Sequence, residues 1–332
     1  MANKPVVRHE NCAEFLRTGT DHHHGYPDTM RITEIATNPT DAERGAASAF
    51  VATVEEATPN PQLSDHLRLD LGRRHDPNAP GPTLVTVRDH GRPIAIAQLS
   101  DANDAAVLEV VVEPGLDDAI AVRDDAAETA IDTHRRHHDA NVVWWLDDPT
   151  SHDREVAARF GLEVWRELFE MRRPLPHPDH ASVTTRAFRP GVDDEAWLRV
   201  NNRAFRSHGE QGGWTLDTLR LRQAEPWFDP AGFRVHDDEH GELVAFCWTK
   251  LHRDEDPVIG EIYVIAVDPS AHGRGLGKQL TLAGLDAIAA RGVTIANLYV
   301  DADNVAAVGL YEQLGFSVHR RRVAFAPPDH HG

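Results

Sequence analysis

A chain of 332 residues with 41% hydrophobic content is long enough for two domains with cores of their own, and it contains no run of about 18 apolar residues that would span a membrane. Its formal net charge of −19 repels nucleic acid and anionic membranes, so a site for an anionic ligand has to be made basic locally. The two cysteines, Cys12 and Cys247, lie too far apart for a disulfide framework; the N-terminus has no charged-then-apolar signal design, which predicts a cytoplasmic protein.

Residues 1–38 show little periodicity and read as a disordered or poorly ordered lead-in. The histidines at 22–24 lack the fixed framework of a metal site, and no metal is expected. The Ala-rich pattern predicts a helix over 41–56 with Phe50, Val51 and Val54 on its apolar side, and Leu63, Leu67 and Leu71 predict a second over 64–71. A meander follows: strands at 83–88, 94–99 and 106–112, with a turn at Asp89-His90-Gly91-Arg92. Then come a helix over 124–135, a strand over 141–146, and Arg159-Phe160-Gly161-Leu162-Glu163. The proline-rich stretch 174–183 reads as a linker.

Beyond the linker the pattern predicts helices over 194–205 and 215–223, a hairpin of strands 233–235 and 243–251, a strand over 262–267, a helix from about Leu276, a strand over 296–300, a helix from Asn304 and a last strand over 317–326. Pro114 corresponds to Pro269 and Gly161 to Gly315, at offsets of 155 and 154 residues, which argues for a tandem repeat. Between strand 262–267 and its helix lies His272-Gly273-Arg274-Gly275-Leu276-Gly277-Lys278. Glycines there let several backbone N–H groups point inward, the helix start adds its positive dipole end, and Arg274 and Lys278 add cations: a nest for a diphosphate. At the matching place in the first repeat stands Gly115-Leu116-Asp117-Asp118, with Asp124 and Asp125 following. Those acids oppose an anion, so the first repeat is expected not to bind such a ligand productively.

Strand, glycine loop, helix, strand, the Asn304-Val305-Ala306-Ala307-Val308-Gly309 helix start and Tyr311-Glu312-Gln313-Leu314-Gly315-Phe316, in that order, resemble the GNAT family of acyl-CoA-dependent N-acyltransferases. The resemblance implies an α/β fold of two tandem GNAT-like domains, each a mixed, mostly antiparallel sheet flanked by helices. It gives a degenerate domain over 39–173 and a catalytic one over 184–332. It implies acetyl-CoA as acyl donor, held by the backbone of Ile265, Ala266 and Val267, by the loop from His272 to Lys278, and by Asn304 to Gly309. His272 departs from the family's usual Gln or Arg; because the loop acts through backbone donors, binding is expected to persist. Tyr311 stands where such enzymes place the tyrosine that protonates the leaving thiolate. Glu261 shares a strand face with Tyr263 and Ile265, barring a bulge, and is the candidate base for the acceptor ammonium, directly or through water. Lys250 shares a face with Phe246 and Trp248.

A narrower similarity lies in Val200 to Phe205, His208-Gly209-Glu210-Gln211-Gly212-Gly213-Trp214, Glu225 to Pro230, Trp248-Thr249-Lys250 and Met171 to Leu175, which look like the mycothiol synthase family. That family acetylates the cysteine amine of cysteinyl-glucosaminyl-inositol. The similarity implies that Glu210, Lys250, Glu261 and Tyr299 contact this pseudodisaccharide amine, with Asp65 at the place of a substrate-binding Glu. No nucleic-acid or membrane partner is implied, and the internal repeat suits a monomer. Two alternatives stay open from the sequence: a tandem acetyltransferase for another amine, such as an aminoglycoside or a peptide N-terminus, and a non-catalytic acyl-CoA sensor.

Overall fold

The computed structural model describes residues 31–58, 62–76, 81–102, 105–138, 140–206, 211–253 and 255–330. The histidines at 22–24 and Glu210 lie outside the described residues. Contacts divide the chain into two units: Met1–Leu146 with Thr150–Trp165 and Ala324–His330, and Asp147–Pro149 with Arg166–Val323 and His331–Gly332.

In the N-terminal unit, β1 (Arg31–Thr37) pairs antiparallel with β2 (Thr83–Asp89), which continues through β3 (Arg92–Ala102) and β4 (Ala105–Val112) to the parallel β5 (Asn141–Asp147). β1 falls inside the stretch read as a lead-in. Its short, mixed-polarity sequence carries no strand signal of its own, and its order comes from a ladder of main-chain partners on β2. α1 (Asp41–Glu56) begins with a capping box, Thr40 accepting from the Glu43 N–H while Glu43 Oε2 accepts from the Thr40 N–H at 2.7 Å. Its Phe50, Val51 and Val54 pack with Leu67 and Leu71 of α2 (Asp65–Gly72) onto Leu84, Ile96 and Val111 of the sheet. α3 (Ala119–His137) packs on β2, β3 and β4 and starts earlier than the predicted Asp124. α4 (Ser151–Arg159), unforeseen in its polar sequence, is started by a second capping box, Thr150 with Asp153.

β6 (Glu163–Pro174), charged at Glu170, Arg172 and Arg173, lies in the range expected for the first domain, where no strand was expected. Here it is a strand of the C-terminal unit, paired antiparallel with β11 (Ile295–Asp301). The C-terminal unit holds in chain order β7 (Arg186–Ala187), α5 (Asp194–Ala204), α6 (Leu216–Gln223), β8 (Phe233–Asp237), β9 (Leu243–His252), β10 (Ile259–Val267), α7 (Leu276–Ala289), β11, α8 (Val305–Gln313) and β12 (Ser317–Ala326). Its strand order is β12-β6-β11-β10-β9-β8-β7, with β10 and β11 parallel. The order strand, strand, strand, helix, strand, helix, strand occurs in both halves of the sequence, and Gly161 and Gly315 both sit left-handed just past a helix, at φ 72° and 80°. The repeat is therefore structural as well as sequential.

Two cores flank the C-terminal sheet. On one face α7 and α8 bury Leu280, Leu285, Ile288 and Leu314 against Cys247, Ile262, Ala296 and Leu298. On the other, α5, α6 and the segment between them pack Trp197, Trp214 and Leu219 against Phe233, Phe246, Trp248 and Val264. α7 lies close to the sheet because two contact positions have no side chain. A Cβ on Gly260 would stand 2.2 Å from Ile288 Cγ2, and one on Gly284 2.5 Å from Cys247 Sγ. Gly260→Ala is accordingly expected to destabilise the protein by roughly 1–3 kcal/mol through overpacking. An unchanged denaturant midpoint would show that α7 shifts without cost.

Candidate active site

β10 and β11 pair only from Ile259↔Ile295 to Ile262↔Leu298. At that point β10 carries a bulge: Ile262 opposes Thr249 and Val264 opposes Trp248, so Tyr263 is an extra residue. Beyond it β11 remains paired with β6, while the β10 stretch Ile265, Ala266 and Val267 pairs only with β9. The main-chain groups of that stretch on the side toward β11 thus line a gap between diverging strands.

The gap leads to the glycine loop. Asp268 accepts from the Ser270 N–H at 3.0 Å and is tied by Arg203 of α5, which fixes the turn leaving β10. Gly273 and Gly275 adopt φ of 77° and 73°, and Cβ atoms there would meet nothing within 4 Å. Gly275 caps α7 without a side-chain hydrogen bond, and the first turn of α7 has no acidic residue. The N–H groups that start α7 therefore lack a side-chain cap, and Lys278 lies exposed in the same turn. This main-chain arrangement fits a diphosphate. His272 folds back, its Nε2 donating to the Val267 carbonyl at 3.0 Å. Asn304 caps α8 by accepting from the Ala307 N–H at 3.1 Å, which leaves Val305 and Ala306 at an exposed helix start.

The bulge changes which side chains share a face. Glu261 does lie with Tyr263, which packs in the aromatic core, but Ile265 does not join them: one inserted residue turns it to the helix side, and Val264 and Ala266 take its place. Glu261 opposes Lys250 on β9 and Asn297 on β11. Lys250 Nζ sits 5.1 Å from the Trp227 ring centre and 5.8 Å from that of Tyr263, a cation held over aromatic faces. Tyr299, two residues beyond Asn297, opposes Glu170. Tyr299 is 37% exposed as a whole, yet desolvation, then the charges of Glu170 and Glu261, push its phenol above the ordinary tyrosine range. Lys250, Glu261 and Tyr299 thus share one sheet face, beside an aromatic wall of Trp227, Trp248 and Tyr263.

Several polar residues of this face escaped sequence reasoning. His252 Nε2 lies 2.7 Å from Glu261 Oε2, and Asn297 is buried with an Oδ1 that has no hydrogen-bond partner. Glu170 is fully buried, its Oε1 accepting from Arg172 Nε at 2.6 Å and its Oε2 from Arg320 Nε at 3.0 Å. Burial would push Glu170 up, but Arg320 and Arg172 outweigh it and hold the carboxylate below its usual range. Extending the two-residue alternation from Lys250 and Tyr299 reaches His252 and Asn297. The β6 contribution carried no such signal, because no strand was expected between Glu163 and the linker.

Tyr311 lies on the helix side, buried in the core of α7 and α8 with its ring 5.9 Å from that of Phe316. Burial first, then the neighbouring Cys247, raises its pKa, so the phenol is protonated at neutral pH. Cys247 is fully buried and its thiol is pushed up to about 12 by burial, which makes it a packing residue.

In the N-terminal unit β4 and β5 also part, pairing only from Ala105↔Asn141 to Leu108↔Trp144, but the bulge and the glycine loop are missing among the described residues. Its β3–β4 register runs without a shift, and the start of α3 is occupied by Asp118, held by Arg31 through bonds of 2.5 and 3.1 Å. Asp124 does not crowd that place: it lies further along α3, bonded to His152 at 2.7 Å and Arg123 at 2.8 Å. A cavity of about 980 Å³ in this unit, lined by Ala46, Phe50, Val54, Leu84 and Ile96, contains none of the predicted site residues. Asp65 opens α2 here, and its side chain lies outside what is described. For Glu210 the structure gives only its neighbours: Asn201 Nδ2 donates to the Gln211 carbonyl at 2.8 Å, and Asn202 brackets Trp214 through its N–H at 3.0 Å and its carbonyl at 2.8 Å. α5 therefore anchors the far end of that loop.

The Acetyltransferase (GNAT) family model matches residues 195–316, which contain the diverging strands, the glycine loop and Tyr311. A GCN5-related N-acetyltransferase from Sphaerobacter thermophilus shares the fold with a TM-score of 0.66 at 21% identity, over 91% of this chain and 96% of that one. A tandem GNAT protein from the clavulanic acid biosynthesis pathway does so with a TM-score of 0.61 at 17% identity, over 89% and 98%. Fold, family match and the relatives described next together make this an acetyl-CoA-dependent N-acetyltransferase of the GNAT class. Two relatives are closer in sequence: a mycothiol acetyltransferase from Frankia alni, 42% identical over 83% of this chain and 89% of its own, and one from Thermomonospora curvata, 41% identical over 82% and 96%. The chain belongs to the mycothiol acetyltransferase family. Among the described residues no helix is long and apolar enough to cross a membrane.

Proposed function

We propose that the chain transfers the acetyl group of acetyl-CoA to the cysteine amine of cysteinyl-glucosaminyl-inositol, with the chemistry in the C-terminal unit. The observation that carries this reading is the sheet face on which Lys250, Glu261, Asn297 and Tyr299 stand beside an aromatic wall. Charged and amide groups satisfy sugar and inositol hydroxyls by charge-assisted bonds, and aromatic faces cover the apolar sides of the rings. The resemblance to the mycothiol synthase family adds Glu210 and Asp65 to the proposed acceptor set. In this reading the diphosphate lies on the loop His272 to Lys278 and at the start of α8 from Asn304, and the pantetheine arm follows Ile265 to Val267 into the gap.

The reaction then needs little movement of charge. Glu261 takes a proton from the acceptor ammonium, and the freed nitrogen lone pair attacks the thioester carbonyl carbon. Attack leaves the nitrogen cationic, and it sheds its second proton to solvent as the C–S bond breaks; the electron pair leaves on sulfur, Tyr311 O–H protonates that sulfur, and a proton from solvent restores the phenol. A thiol has an ordinary pKa near 8.5, below that of a phenol. The burial that raises Tyr311 also desolvates a thiolate bound beside it and raises its basicity, which offsets the rise in the phenol. We further propose that the enzyme works as a monomer in the cytoplasm, one chain carrying both repeats.

Coenzyme A release measured with cysteinyl-glucosaminyl-inositol, aminoglycosides and peptide amines tests the acceptor. The pseudodisaccharide amine is expected to give the highest kcat/KM. A higher value for another amine would reassign the substrate, and tight acetyl-CoA binding without release for any of them would favour a sensor.

A further inference from the structure

We propose that His252 is the positioning residue of Glu261 and gates its basicity, so that the acceptor amine is deprotonated by a His252–Glu261 pair and not by a lone carboxylate. The geometry is that of a built contact. His252 and Glu261 sit diagonally on adjacent antiparallel strands, since Ile259 opposes His252 and Glu261 opposes Lys250. Their contact of 2.7 Å joins side chains that are only 16% and 9% exposed. A carboxylate only accepts, so the imidazole carries a proton on Nε2 in this contact whether neutral or charged. Oε2 is thereby fixed, and Oε1 is left to receive the ammonium proton: one N–H bond breaks, one O–H bond forms, and the electron pair stays on nitrogen.

The charge state of the ring sets how strongly Oε1 takes that proton. The groups acting on His252 are Lys250 on its own strand, Glu261 on β10 and Glu255 beyond the end of β9; Tyr299 of β11 stands in turn in the field of Glu261. Burial would lower the imidazole pKa, but the hydrogen bond and charge of Glu261 outweigh it, and the net direction is up. Below that raised value the positive charge of the imidazolium beside Oε2 repels a proton arriving at Oε1; above it the ring is neutral and the repulsion is gone. Turnover should therefore rise as pH passes upward through the pKa of His252.

This inference rests on the acetyl-transfer reading above, and its test separates the two. With whichever amine the wild-type full chain acetylates, kcat is measured against pH for wild type, His252→Gln and His252→Ala. The wild-type acidic limb is expected above the ordinary histidine value of about 6.5. Glutamine keeps an N–H donor for Oε2 but does not titrate, so its limb should fall by about one pH unit or more, and its plateau kcat should exceed that of His252→Ala. Alanine frees the carboxylate and should lower kcat roughly 10²-fold, with KM for acetyl-CoA unchanged. In a readout that needs no turnover, the His252 ring resonance should titrate above the ordinary value in wild type and drop in Glu261→Gln. Coincident pH profiles for wild type and His252→Gln, full kcat in His252→Ala, or a ring titration indifferent to Glu261→Gln would each overturn the proposal. Absence of release with every amine would instead overturn the functional reading.

Discussion

Glu261→Gln is expected to lower kcat by roughly 10²–10⁴-fold while leaving the KM for acetyl-CoA nearly unchanged. The substitution keeps the volume and the contact to His252 but removes the group able to hold a proton. At neutral pH a cysteine amine is largely ammonium, and an ammonium has no lone pair with which to attack a thioester. Because Glu261 lies on the aromatic face and the glycine loop follows the far end of β10, donor binding should not feel the change. Steady-state kinetics with both substrates checks this. A fall of less than tenfold would mean that solvent or another group removes the proton, and a matching rise in KM for acetyl-CoA would mean that the change had disturbed the strand.

Tyr311→Phe is expected to cost a similar factor in kcat, again about 10²–10⁴-fold, with acetyl-CoA affinity preserved. The phenol is buried in the α7–α8 core beside Phe316, so phenylalanine fits the same space and stability should hold. What is lost is the only O–H that the mechanism offers to the leaving sulfur. The raised pKa of Tyr311 adds a second signature, because a phenol that stays protonated through the ordinary assay range should leave the basic limb of the profile above pH ~10. Thiols of lower pKa need less help in leaving, so a donor analogue with a more acidic thiol should recover part of the variant's rate. An unchanged rate in Tyr311→Phe would remove the acid role and reduce the residue to packing.

The parts of the site legible in the sequence are those whose chemistry is local. Gly273 and Gly275 announce a left-handed loop wherever they occur between a strand and a helix, and the alternation of Trp248 and Lys250 places both on one face with no knowledge of the partner strand. What could not be read depends on neighbours. The bulge at Tyr263 has no glycine or proline to mark it; it lies where β10 parts from β11 and shifts its register on β9 by one residue. Strict alternation therefore placed Ile265 on the wrong face. β6 was hidden for an electrostatic reason, since Glu170 is tolerable in a buried strand only when Arg172 and Arg320 flank it, and Arg320 lies far along the chain. β1 and α4 escaped because a partner strand and a two-residue cap, and not their own apolar pattern, make them form.

The most direct measurement is the structure of the product formed from acetyl-CoA and cysteinyl-glucosaminyl-inositol by the full chain. Mass spectrometry with a thiol-reactive label should show one acetyl group on the cysteine nitrogen, a thiol still free to react with the label, and no such product when Glu261 and Tyr311 are both replaced. Acetyl found on sulfur or on a sugar hydroxyl, or N-acetylation that survives the double replacement, would contradict amine transfer by this pair of residues.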